Sequence, residues 1–105
     1  MTVLHTFTGP DGASPGAGVV IGSGGVLFGT TTSGGGSAFA GTVFMLTPPG
    51  TPGGTWTETV LHKFTNGADG AQPGASLAID STGLLYGTAY NGGTGSAGTV
   101  FSLTP

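Results

Sequence analysis

The side chains that could perform acid–base or metal chemistry in this sequence are few: two histidines, four acidic residues and one lysine among 105 residues. His5 and His62 occupy equivalent places in two similar segments, where strand alternation puts each with Val and Phe side chains. Neither has a Cys or a second His at the spacing of a metal site. We therefore expect buried histidines hydrogen-bonded to backbone, with a pH-sensitive contact between repeats as the functional alternative.

Two Asp-Gly pairs, which begin at Asp11 and Asp69, lie in equivalent loops and could contribute to a calcium site. One carboxylate per loop is little against the roughly six to eight oxygen ligands that calcium takes. An Asx turn is the structural interpretation. We expect no metal and no cofactor, and we keep Asp11 and Asp69 as candidate ligand-binding residues.

An aromatic side chain beside an amide suits recognition of a sugar, and Tyr90-Asn91, with Trp56, offers that combination. Tyr90 and Asn91 replace Thr32 and Ser33 of the equivalent loop, so the two loops differ there. Loop decoration without a ligand is the structural alternative, with Trp56 packed at the start of a strand. Tyr90 and Asn91 are therefore the remaining candidate ligand-binding residues.

Two glycine motifs imitate catalytic or cofactor signatures. Residues 12–16 match G-x-S-x-G, but that elbow needs a strand-turn-helix, whereas Pro15 follows Ser14 and a strand comes next. Residues 93–98 spell G-x-G-x-x-G, which opens a helix in dinucleotide folds but here precedes a strand. With no catalytic residues to name, we expect the chain not to be an enzyme.

The elements that must position these residues come from a tandem repeat. Residues 2–48 return as residues 59–105 at an offset of 57, with one residue gained in the first loop and one lost in the second. More than half of the paired positions are identical, and a Pro/Gly-rich connector lies at residues 49–58. A period of this size is typical of propellers and solenoids, whose units cannot bury their apolar faces alone.

Composition excludes several classes of protein. The 24 Gly and 7 Pro separate apolar runs at matching places in both copies, so they act as turn residues. One Lys and no Arg leave no basic patch, which argues against nucleic-acid binding. No apolar run has the length of a membrane span, and the first residues are not a signal peptide. We expect a piece of a longer array, or a chain whose export signal was removed, from an extracellular or cell-surface bacterial protein.

Four strands are predicted in each unit, and no helix. They cover residues 3–8, 18–22, 26–31 and 42–47 in the first unit and residues 60–65, 76–80, 84–89 and 99–104 in the second. Four antiparallel strands per unit predict an all-β fold with two four-stranded β-propeller blades per chain; a β-solenoid is the alternative. Alternation predicts that Phe44 and Phe101 lie on the face between neighbouring blades.

Residues 3–8 have no inner strands before them, and the last three strands have no outer strand after them. We therefore expect head-to-tail association into a closed ring, with residues 3–8 of one copy completing the last blade of the next. Two blades per chain require an even total, so a homotrimer with six blades is favoured and a tetramer with eight is second.

The combined phrases resemble the GloVer tandem repeat: Val-Leu-His-x-Phe, Asp-Gly-Ala-x-Pro, Leu-Tyr-Gly-Thr and Gly-Thr-Val-Phe-x-Leu-Thr-Pro. That repeat occurs in bacterial choice-of-anchor proteins, and the resemblance covers the chain apart from the connector. It implies a propeller and an extracellular or surface location, and it implies no activity. The expected function is a structural, interaction or display module, with a small-ligand or glycan-binding propeller as the alternative.

Overall fold

The computed structural model describes residues 1–105, and apart from one short 3₁₀ turn at Ser23–Gly25 its regular elements are strands. The strands are β1 (Val20–Ile21), β2 (Leu27–Thr31), β3 (Thr42–Thr47), β4 (Thr57–Lys63), β5 (Ala78–Ile79), β6 (Leu85–Ala89) and β7 (Thr99–Leu103). No helix is long and apolar enough to cross a lipid bilayer.

The strands form two antiparallel sheets in chain order. β1-β2-β3-β4 is the first sheet and β5-β6-β7 is the second. Gly29 pairs with Phe44 in the first sheet, as Gly87 pairs with Phe101 in the second. The prediction of an all-β chain is confirmed at this level.

One predicted strand is wrong, since residues 3–8 form no strand. No backbone–backbone hydrogen bond involves residues 1–8, because no neighbouring strand lies beside them with which they could form a ladder of such bonds. β4, by contrast, begins at Thr57 within the predicted connector, and the strands at 18–22 and 76–80 shorten to two residues each. The second sheet has three strands, as expected from the absence of an outer strand after the last three.

β4 contains a bulge that interrupts the alternation used to assign its faces. Val43 pairs with His62 and Phe44 with Val60, so Leu61 has no partner. Strict two-residue alternation does not continue through a bulge. The prediction that Val60 and His62 share one strand face therefore fails at this point.

One apolar cluster joins the two sheets. Phe28, Val43 and Phe64 pack with Leu77 and Leu85. Only 21 of the 105 residues are buried, so neither sheet has a core that could stabilise it alone. The units fold as a pair.

Two glycines make room for the phenylalanines of the neighbouring strand. A Cβ on Gly29 would lie 2.6 Å from Phe44 Cζ, and a Cβ on Gly87 would lie 2.6 Å from Phe101 Cζ. Each ring therefore lies across its glycine partner, an arrangement that only glycine permits. The Phe101 ring also contacts, edge to face at 5.3 Å, the ring of Phe64, which directly follows β4, so Phe101 lies where the two sheets meet.

The contact between the units includes three hydrogen bonds outside the sheets. The Phe64 amide donates to the Gly41 carbonyl at 3.0 Å and the Gln72 amide donates to the Ala40 carbonyl at 2.7 Å. The Thr30 hydroxyl donates to the Ala75 carbonyl at 3.4 Å. We call this set of contacts the inter-unit junction.

Candidate functional site

Each unit carries a histidine–aspartate pair. His5 Nε2 lies 2.8 Å from Asp11 Oδ2, and His62 Nε2 lies 2.9 Å from Asp69 Oδ2. An ionised carboxylate only accepts, so the imidazole N–H is the donor. The prediction of buried histidines bonded to backbone is wrong, since the side chains are 21% and 38% exposed and bind carboxylates.

The same carboxylates hold their loops closed. Asp11 Oδ1 accepts the Thr8 amide at 3.0 Å, and Asp69 Oδ1 accepts the Thr65 hydroxyl at 2.6 Å. In an Asx turn the donor is the backbone N–H two residues after the aspartate, whereas these donors come before it. The prediction of Asx turns at Asp11 and Asp69 is therefore wrong. Asp80 does form one, since its Oδ1 accepts the Thr82 amide at 2.9 Å.

These contacts set the charge of the two aspartates. Partial burial alone would raise the pKa of Asp69, but hydrogen bonds from Thr65 and His62 outweigh it and lower the pKa below its ordinary value. Burial would also raise the pKa of Asp11, but hydrogen bonds from Thr8 and His5 outweigh it and lower the pKa below its ordinary value. Both carboxylates are therefore ionised at neutral pH.

Glu58, at the start of β4, joins the first pair and was not found by sequence reasoning. Burial, followed by the charge of Asp11, raises its pKa, and its Oε2 is buried without a hydrogen-bond partner. Ligand atoms of His5, Asp11 and Glu58 all lie within 4.8 Å of one another, so these residues are the ones that could hold a metal ion. The second pair has no third acid beside it, so the feature common to both units is the loop closure.

β7 has one unpaired edge. It pairs only with β6, whereas its counterpart β3 pairs with both β2 and β4. A groove of about 300 Å³ lies beside it, lined by His62, Phe64 and Val100 among others. Val100 is 83% exposed, so both the backbone edge and an apolar side chain of β7 face solvent.

Residues 1–8 are anchored at one end only. The Phe7 ring packs on Phe44 at 5.1 Å, the same edge-to-face contact that Phe64 makes with Phe101. The amino-terminal end of the segment is exposed to solvent, with Val3 66% exposed. A segment that resembles β4 in sequence therefore lies unpaired in the same chain as an unpaired β7 edge.

The predicted sugar-binding residues lie at the inter-unit junction. Tyr90 is 79% exposed, and the Asn91 side-chain amide donates to Gln72 Oε1. Phe39, which the sequence did not single out, is 71% exposed and lines the same depression as Gln72 and Asn91. Asp11 and Asp69 do not join this group, because their histidines hold them elsewhere. Trp56 is partly buried directly before β4.

The two glycine motifs are loops. The Ser14 carbonyl accepts the Thr32 amide at 3.1 Å, and β1 rather than a helix follows. Residues 93–98 lead directly into β7. Neither segment has the helix that its motif requires.

Comparison with known proteins gives one match. No curated protein and no solved structure matches the chain. The model of the Gloeobacter/Verrucomicrobia repeat matches residues 1–105, and the paired strands, His–Asp pairs and glycine–phenylalanine contacts recur in both units of that span. The chain therefore belongs to the family of the Gloeobacter/Verrucomicrobia repeat.

Proposed function

We propose that this chain is a non-enzymatic module of two β-propeller blades that assembles head to tail into a complete propeller and serves a structural or display role in an extracellular or cell-surface bacterial protein. One observation carries the proposal. β7, with its free edge, and the unpaired residues 3–8 closely resemble in sequence β3 and β4, two strands that pair within the same chain. A second copy would supply the missing outer strand.

The pairing inside the first sheet gives the register of the proposed interface. Phe44 pairs with Val60 and Met45 with Thr59. Moved by the repeat offset of 57, these pairs become Phe101 with Val3 of a second copy and Ser102 with Thr2 of that copy. The new pairs would cover the exposed apolar side chains of β7, a change that burial favours.

The inter-unit junction supplies a second set of complementary groups. The donors that correspond to Phe64 and Gln72 are the amides of Phe7 and Ser14, and neither makes a backbone hydrogen bond. The acceptors that correspond to Gly41 and Ala40 are the carbonyls of residues 98 and 97, and neither accepts one. Unpaired donors at one end of the chain thus match unpaired acceptors at the other end.

The geometry of the acceptor turn is the same in both units. Gly41 has φ of 98° and Gly98 has φ of 100°, a left-handed conformation that glycine adopts without strain. The backbone therefore presents the carbonyl of Gly98 in the same conformation as the carbonyl of Gly41. A contact that forms between units of one chain can form between copies, and such heterologous contacts close into a ring when the rotation permits. We favour six blades from a trimer, with eight from a tetramer as second.

A disulfide trap tests the register directly, because the chain contains no Cys. Facing residues of antiparallel strands lie about 4.5–5.5 Å apart between Cα atoms, within disulfide range. The double variant Thr2→Cys/Ser102→Cys should give covalent trimers under oxidising conditions. Thr2→Cys/Ser81→Cys, with the second Cys on an exposed turn of the other strand pair, should give none.

Mass measurement of the parent completes the test. Native mass spectrometry should show a trimer, and a tetramer would correct the blade number to eight while supporting the assembly. A folded monomer with no cross-linked species at any concentration would overturn the proposal.

A further inference from the structure

We propose that the inter-unit junction carries a binding site for an uncharged carbohydrate, formed by Phe39, Gln72, Tyr90 and Asn91. All four residues belong to one chain. The site therefore does not depend on the head-to-tail assembly, and either proposal can fail without the other.

Gln72 is the centre of the site. Its side chain lines a groove of about 460 Å³ together with Tyr90, and also a smaller depression of about 220 Å³ together with Phe39 and Asn91. The backbone N–H of Gln72 donates to the Ala40 carbonyl at 2.7 Å, and its backbone carbonyl accepts the backbone N–H of Tyr90 at 3.1 Å. The backbone of Gln72 thus ties together the two loops that carry the aromatic rings.

The fold does not require the two exposed aromatic rings, Phe39 and Tyr90. Phe39 adopts a left-handed backbone with φ of 50°, where bulky residues are rare. Its counterpart Ser96 adopts the same conformation with φ of 55°, so the turn forms as well with a small hydroxyl side chain. Thr32 likewise stands where the other unit has Tyr90. The aromatic rings are additions to turns that form without them.

The amides differ between the units in the same way. Gln72 and Ser14 share the left-handed conformation, with φ of 55° and 57°, and Asn91 corresponds to Ser33. Both amide substitutions and both aromatic substitutions therefore fall in one place. The equivalent positions carry only hydroxyl side chains, with Ser14, Thr32 and Ser33 in the first unit and Ser96 in the second.

The chemistry of these four residues selects a neutral sugar. The bond from Asn91 to Gln72 Oε1 leaves the Gln72 amide donors and the Asn91 carbonyl oxygen free, a donor and an acceptor side by side for vicinal hydroxyls. Aromatic rings offer apolar faces for the C–H side of a pyranose. No charged side chain lines either depression, so nothing there favours an anionic ligand. The larger depression, of about 460 Å³, is of the size that small-molecule sites have.

The experiment uses the fluorescently labelled full chain on an array of neutral oligosaccharides built from glucose, galactose, mannose, fucose and N-acetylhexosamines. Hits are then titrated by isothermal calorimetry. We expect at least one neutral glycan to bind with one site per chain. Phe39→Ser and Tyr90→Thr should each weaken binding about tenfold or more, because each removes a stacking surface.

Both variants introduce the residue that the equivalent position of the other unit carries, so they keep the fold. Tyr86→Phe is the matched control, because Phe28 occupies its place in the first unit and its ring lies outside the site; it should bind as the parent does. Silence on the array, hits confined to anionic glycans, unchanged binding by both variants, or two equal sites per chain would each overturn the proposal. Binding by a protein that stays monomeric would support this site while contradicting the proposed assembly.

Discussion

The phenylalanine on β7 gives the sharpest measure of how the two sheets depend on each other. Phe101→Ala removes a ring that packs on Phe64 at 5.3 Å and covers Gly87. Replacing a buried Phe by Ala costs about 3–5 kcal/mol of unfolding free energy. Phe101 is only partly buried in the separate chain, so we expect a smaller loss of unfolding free energy, about 2–3 kcal/mol. Against a total of about 5–15 kcal/mol, that loss is large.

Urea unfolding at low protein concentration measures this loss. Trp56 is the sole tryptophan and lies next to β4, so its fluorescence reports the sheet that contacts the Phe101 ring. With a slope of about 1.5 kcal/mol per molar urea, the midpoint should fall by about 1–2 M. A variant whose unfolding free energy stays within about 0.5 kcal/mol of the parent would refute the assignment of this ring to the core.

Phe44→Ala is the matched comparison, because Phe44 is the same residue of the first unit and is 3% exposed. It should cost the full value of about 3–5 kcal/mol. If copies assemble, a fourth strand covers β7, and the loss for Phe101→Ala should rise towards the loss for Phe44→Ala as protein concentration increases. Phe39→Ser, an exposed phenylalanine, should remain within about 0.5 kcal/mol.

Four further predictions rest on other contacts. Gly87→Ala should lower the unfolding free energy by about 1–3 kcal/mol in the same urea assay, because its Cβ would overlap the ring above it, whereas Gly95→Ala meets nothing within 4 Å and should not; equal values would contradict the packing. The lowered pKa of Asp69 contributes stability that is present above its unfolded value of 3.8 and is lost as pH falls through the folded value, so the melting temperature should stay level from pH 7 to about 5 and fall below about 4.5, less steeply in Asp69→Asn. Glu58 has the opposite sign, since its raised pKa costs stability above about pH 4.5, and Glu58→Gln should raise the melting temperature at pH 7; a decrease would show that its ionised form is needed. Deleting residues 1–4 keeps the anchoring aromatic contact yet removes Thr2 and Val3, which form the proposed pairs with Ser102 and Phe101, so light scattering should show folded monomers, and an unchanged mass would contradict the interface.

Strand positions were predictable where apolar alternation is strict and both neighbours lie in the same chain. The strand at residues 42–47 was predicted with its observed bounds. Residues 3–8 have the same kind of pattern but no partner, and a pattern alone does not form hydrogen bonds. The start of β4 was missed because Thr57 and Glu58 lie after the prolines and glycines that predicted a connector.

The site was less predictable because its contacts cross between loops. Asp11 lies six positions after His5, a spacing that belongs to no strand or helix period, so their pairing depends on a turn that the sequence does not specify. Tyr90 and Asn91 were found from residue chemistry. Phe39 was not found, since only the docking of one unit on the other brings it to the same side as Gln72.

The position of β4 means that the sequence repeat and the sheet are out of phase. β4 is encoded with the second repeat but is hydrogen-bonded to β3 of the first, while residues 50–55 before it are exposed. Protease cleavage within residues 50–55 would therefore not release two separate units. The carboxy-terminal fragment would remain threaded into the amino-terminal one by six backbone pairings, from Thr42 with Lys63 to Thr47 with Thr57. A nicked chain of this kind would reproduce, between two fragments, the strand exchange proposed between two copies.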